Sequence, residues 1–215
     1  VEVYTSEQEQ VEALKKWWKE NGRSIIAGVV IGLGAVFGWR AWMEHKLTEA
    51  EQASLLFQQV LAAAQSTEAQ AAASRAEMLI ADFDNTVYAD FAALELARLA
   101  LERGDTAAAE SHLRWVLENS GDAGLQQIAR LRLARVLAST GNLDQAWELA
   151  RVEKEVASFA GEYAELRGDI ALARGDDASA RDFYQKALEK GAGDPGLIRM
   201  KMADLGVGTP TNDGS

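Results

Sequence analysis

Cysteine is absent from this chain, and histidine occurs only at His45 and His112, far apart in sequence. No disulfide and no thiolate metal site is therefore available in any compartment. No glycine-rich phosphate loop and no metal-ligand spacing occurs. His45 lies beside Glu44 just past an apolar run and reads as an interface residue. His112 has no clustered carboxylate near it in sequence and reads as a surface or groove-edge residue. Acid pairs such as Asp176-Asp177 fall where a helix begins, where negative charge favours the helix dipole. The inventory predicts a protein that is not an enzyme and carries no cofactor and no metal.

Positive charge is also scarce over most of the chain. Residues 1–46 balance six Lys/Arg against six Asp/Glu, so the whole net charge of −11 lies in the residues that follow. Such an acidic stretch repels phosphate backbones and anionic lipid. Nucleic acid is not an expected partner.

What is present is uneven. Ser24 to Trp39 reads SIIAGVVIGLGAVFGW without a charge, and Arg40 can run its stem along a helix and lift its guanidinium into headgroups. The span then reaches Met43, close to the roughly 20 residues that cross about 30 Å of hydrocarbon. Trp39 and Trp42 suit one interface, and Trp17 and Trp18 precede the other. Four glycines in a soluble core helix would each cost roughly 1 kcal/mol relative to alanine. Trp39-Arg40-Ala41-Trp42 makes a poor signal-peptidase site. The expectation is an uncleaved transmembrane helix over 24–43, in contact with the lipid bilayer. Lys15, Lys16, Lys19 and Arg23 precede it, against Arg40 and Lys46 after it, which places the N-terminus in the cytoplasm.

Residues 1–23 form the expected cytoplasmic segment. Gln8 to Asn21 reads as an amphipathic helix ending at Asn21-Gly22, lying in the interface or docking on another membrane protein. Within the span, Gly28, Gly32, Gly34 and Gly38 set small residues one turn apart. That pattern allows close approach of a partner helix, and it also matches the ordinary glycine content of membrane helices.

Beyond the anchor the chain is predicted to be all-α, with apolar residues recurring at three and four, as in Leu94, Ala97, Leu101 and Leu131, Ala134, Ala138. Three punctuation points carry Gly104-Asp105, Gly141-Asn142 and Gly175-Asp176, spaced 37 and 34 residues apart. The tetratricopeptide period is about 34 residues. Each glycine can make a left-handed turn and each following residue can cap the next helix. Ala109, Ala146 and Ala180 follow each glycine by five residues. Residues 44–205 are read as a tetratricopeptide-like α-solenoid, with an earlier helix pair over 47–84 and a capping helix over 194–205. Residues 206–215 are read as a flexible tail.

VEALKKWWKENGRSIIAGVVIGLGAVFGWRAW, followed by these repeat-like units, resembles the YfgM family of bacterial inner-membrane proteins. The resemblance covers nearly the whole chain, with Val1 where a methionine is expected. It implies one membrane helix, a cytoplasmic N-terminus and a periplasmic tetratricopeptide-like domain. It also implies an ancillary subunit of the SecYEG translocon, associated with the periplasmic chaperone PpiD and assisting emerging client polypeptides. An envelope scaffold for a different assembly complex is the other function class the residues allow.

The first helix of each repeat lines a concave surface. Counting back from the turn glycines gives Phe91, Leu94, Arg98 and Leu101, then Ile128, Leu131 and Arg135. In the third unit it gives Glu162, Glu165, Asp169 and Leu172. Arg98, Arg135 and Asp169 fall at equivalent places. Two readings stand: a surface that binds a partner segment, or an ion-pair ladder that closes the solenoid on itself.

Overall fold

In the computed structural model the described residues are 7–66, 68–151 and 157–207. The chain divides into two compact units, Val1–Glu51 and Gln52–Ser215.

The first unit holds most of α1, Glu7–Ala64, a single helix of 58 residues. The expected stop at Asn21-Gly22 does not occur. Left-handed glycines among the described residues are Gly104, Gly141, Gly175 and Gly191, and Gly22 is not one of them. The Asn21 amide instead donates to the Trp17 carbonyl at 3.1 Å. A Cβ on Gly22 would sit 3.2 Å from the Trp18 ring, so the glycine seats an indole rather than turning the chain. Arg23 and Ser24 follow, then the apolar run from Ile25, and the helix runs on through them.

Among the described residues α1 is the one helix long and apolar enough to cross a membrane. Its apolar side chains are open: Ile26, Val29, Val30, Ile31, Leu33, Val36, Phe37, Trp39 and Trp42 are all exposed. A water-soluble helix buries a stripe of this kind. The Trp39 and Trp42 rings lie 5.2 Å apart, and Lys46 pairs with Glu49 at 2.9 Å one turn further on.

The second unit is a run of antiparallel helices. The last turns of α1 pack with α2 (Ala69–Asp82), and α3 (Val87–Glu102) pairs with α4 (Thr106–Asn119). Next come α5 (Ala123–Ser139) with α6 (Leu143–Ala150), and α7 (Ala160–Ala173) with α8 (Asp177–Lys190). α9 (Pro195–Val207) closes the described chain. The fold is all-α, with stacked helix pairs of tetratricopeptide-like form. α9 takes in Gly206 and Val207 from the expected tail, and residues 208–215 lie outside the described residues.

The turns follow the sequence logic. Gly104, Gly141 and Gly175 take φ of 76°, 83° and 76°, a region where a side chain is strained. Asp105 and Asp176 accept from the backbone N–H of Ala108 and Ser179, capping α4 and α8. Asn142 makes no such cap, and its amide donates to the Thr140 hydroxyl. Asp122 caps α5 through Leu125 N–H instead. Ala109, Ala146 and Ala180 are fully buried, where the second helix of each pair meets its neighbours.

The core is a chain of shared clusters rather than one centre. Val60, Ala76, Leu79 and Leu96 join α1, α2 and α3. Leu113, Val116, Leu133, Leu137, Leu166 and Ile170 continue it through α7. Tyr184, Ala187, Ile198 and Leu205 end it under α9. Burying each Leu or Ile contributes about 1.5–3 kcal/mol, spread between adjacent pairs as in other solenoids.

Two buried polar bonds tie distant helices. Tyr163 donates to Gln127 at 2.5 Å, and Ser120 donates to Asp90 at 2.8 Å. Burial raises the Asp90 carboxyl above its ordinary 3.8; the Ser120 hydroxyl opposes the rise and Asp122 adds to it. With its folded value raised, Asp90 contributes stability fully below about pH 3.8, and that contribution is lost as pH rises through the folded value. Asp90→Asn keeps an acceptor for Ser120 without ionising. The variant is expected to melt above the wild type at neutral pH, with the gap closing in acid, as read by thermal circular dichroism at the two pH values.

Candidate functional site

α3 and α5 stand side by side in the second unit, with Leu113 of α4 beneath them. Between them lies a cleft of about 390 Å³ lined by Leu94, Ala97, Arg98, Leu101, Leu113, Arg132, Arg135, Val136 and Ser139. Its floor is aliphatic. Leu113 is fully buried, Leu94 nearly so, and Leu101 stays 43% exposed at the mouth. The rim is basic.

The three rim arginines differ in state. Arg98 donates to Glu95 at 2.6 Å and pairs with Glu102, both on its own helix. The Glu95 bond, with the nearby acids, raises the guanidinium pKa further. Arg132 and Arg135 are exposed and make no ion pair or side-chain hydrogen bond among the described residues. No acidic residue lies on α5 to meet them: AGLQQIARLRLARVLAS holds Arg130, Arg132 and Arg135 alone.

Four of the predicted surface residues therefore meet in one place: Leu94, Arg98, Leu101 and Arg135. Phe91, Leu131 and Asp169 do not join them, nor do Ile128, Glu162, Glu165 and Leu172. Phe91 stacks with Phe57 at 5.7 Å and Tyr88 at 6.2 Å, an aromatic triangle at the start of the solenoid. Leu131 is a core residue at 4% exposure rather than a groove residue. Asp169 accepts from the Tyr184 hydroxyl at 2.8 Å and pairs with Lys201 at 2.7 Å.

The second reading, a ladder of Arg98, Arg135 and Asp169, does not form among the described residues. Glu165 joins Asp169 on Lys201 at 2.9 Å, so the acids of the third unit are met by α9. Burial works against the Lys201 charge, but bonds from Asp169 and Glu165 outweigh it and raise the pKa. Desolvation and the Asp169 bond push the Tyr184 phenol well above its usual value of 10.0.

Arg132, Ala97, Val136 and Ser139 were not singled out in the sequence. Arg132 had a readable signal, since it lies one turn before Arg135 on a helix without acids. On α1, a Cβ added at Gly28, Gly32, Gly34 or Gly38 would meet nothing within 4 Å. Among the described residues there is no His/Asp/Glu cluster that could hold a metal. Burial lowers the pKa of half-buried His112, Glu77 and Asp105 oppose that shift, and Arg103 adds to it. Among the described residues that line the cleft there is no His, Asp or Glu, and Ser139 carries its one hydroxyl.

Stacked helix pairs joined by left-handed turn glycines define a protein of the tetratricopeptide-like repeat class. Residues 15–207 match the family model described as a tetratricopeptide repeat-like domain. The relatives this chain is similar to carry the name ancillary SecYEG translocon subunit. That of Aggregatibacter actinomycetemcomitans is 37% identical over 204 residues, 94% of this chain and 100% of the relative. That of Haemophilus influenzae is 39% identical over 145 residues, 67% of this chain and 71% of the relative. That of Escherichia coli is 35% identical over 146 residues, 68% and 70% of the two chains. The chain belongs to this family, the YfgM-like ancillary translocon subunits, whose repeat domain is non-enzymatic.

Proposed function

We propose that this chain is an ancillary subunit of the SecYEG translocon in the bacterial inner membrane. Residues 24–43 cross the bilayer once, residues 1–23 stay in the cytoplasm, and residues 44–205 work in the periplasm, followed by a tail at 206–215. The likeness to the translocon subunit of Aggregatibacter, running the full length of that protein, carries the reading. The lysine and arginine excess before the apolar stretch supports the orientation.

The parts then divide the work. Gly28 with Gly32, and Gly34 with Gly38, give two stripes without side chains, on either of which a translocon helix can approach closely. The cleft between α3 and α5 takes a segment of a protein partner, either a periplasmic chaperone such as PpiD or an emerging client. Phe91 with its aromatic neighbours braces α3, Leu131 anchors α5 in the core, and Asp169 fastens α7 to α9 further along the repeats. The lipid bilayer is the remaining partner.

The reading is tested by extracting the tagged full chain in a mild detergent and identifying what accompanies it. SecY, SecE and SecG are expected in the eluate, with PpiD. Recovery of a cell-division or outer-membrane assembly complex without SecYEG would support the scaffold reading and overturn this one.

A further inference from the structure

We infer that the cleft between α3 and α5 selects an acidic-aliphatic segment, with leucine-like side chains on its floor and a carboxylate held between Arg132 and Arg135. The inference rests on the reading of the cleft as a partner-binding groove and names the chemistry of its occupant. Charge complementarity carries it.

The chain has a net charge of −11, yet α5 bears three arginines and no acid. Of the arginines at the cleft, Arg98 is compensated by Glu95 and Glu102, while Arg132 and Arg135 are exposed and unpaired among the described residues. Two like charges one turn apart on a helix repel, and no acid among the described residues pairs with either. An incoming carboxylate would relieve that repulsion and gain the bidentate geometry that guanidinium groups favour.

Leu94, Ala97, Leu101, Leu113 and Val136 make the floor aliphatic, and about 390 Å³ holds one or two leucine-sized side chains rather than a folded surface. The occupant is therefore a segment, not a domain face. A basic segment is disfavoured by the rim, and a purely apolar one would leave both arginines unanswered.

The test uses the full chain in lipid nanodiscs and two fluorescent peptides, Gly-Glu-Leu-Asp-Leu-Leu-Glu-Gly and its counterpart with lysine in place of each acid. Fluorescence anisotropy is expected to show tighter binding of the acidic peptide, weakening with added salt. Arg132→Glu with Arg135→Glu should lower that affinity by about tenfold or more and reverse the preference between the peptides. Among the described residues neither has a partner to lose, and circular dichroism checks that the helices persist. Leu101→Gln should weaken the acidic peptide while keeping the preference. Equal affinity for the two peptides, no binding of either, or unchanged affinity in the double variant would overturn the inference. Recovery of SecYEG with the tagged chain is read separately, so failure here is distinguishable from failure of the translocon reading.

Discussion

Gly168→Val is expected to lower the melting temperature of the repeat domain by about 6–12 °C, the equivalent of about 3 kcal/mol of overpacking in a domain of this size. A Cβ at Gly168 would lie 2.5 Å from Tyr184 Cε1 and 2.6 Å from Cδ1, distances that real Cβ atoms do not show. The ring has little freedom to retreat. Tyr184 is fully buried, its hydroxyl donates to Asp169, and the Lys201 ammonium stands 5.6 Å above its ring. Moving it would disturb the bonds that fasten α9 to α7.

Valine does recover some of the roughly 1 kcal/mol that glycine costs inside a helix, which is smaller than the clash. A double-mutant cycle isolates the cause. Tyr184→Ala opens space under position 168, so Gly168→Val in that background should be neutral or stabilising. Thermal melts of the four proteins decide it. If the two substitutions simply add, the close approach of Gly168 to Tyr184 does not govern this pair of helices.

That contact also shows what the sequence made legible. Gly175 and Ala180 were readable from the repeat spacing, and Gly168 against the Tyr184 ring belongs to the same geometry: a ring against a bare backbone, and a left-handed residue where only glycine is unstrained. The turn glycines were readable for the same reason. The helix stop at Asn21-Gly22 was misleading, because the same dipeptide that can end a helix can also make room for an indole one turn back.

The groove was half legible. Counting from the turn glycines found Leu94, Arg98, Leu101 and Arg135, but placed Leu131 on the surface and passed over Arg132. A cleft between two helices is lined by opposite flanks, so offsets correct for α3 are one residue out on α5. The ion-pair ladder failed for a different reason. Arg98 had Glu95 and Glu102 one turn away on its own helix, and such local pairs form before longer ones. Asp169 found Lys201, 32 residues distant on the capping helix, and no periodicity in the sequence joins those two.

The anchor carries the rest of the account, because a groove can serve a membrane channel only if the chain is held at the membrane. Val30 and Phe37 lie near the middle of the apolar stretch, both exposed at 63–64%. A lysine near the centre of a membrane helix costs about 2.5–3.5 kcal/mol on insertion scales, so Val30→Lys with Phe37→Lys costs about 5–7 kcal/mol. Neither substitution touches the repeat domain's core clusters, so its melting should not change.

The deciding measurement is the share of full-length protein that stays with cell membranes after an alkaline carbonate wash. The wild type should remain with the membranes, and the double-lysine variant should appear in the soluble fraction with its helical spectrum intact. Release of the wild type by the wash, or equal retention of the two proteins, would contradict a membrane-held role for this chain.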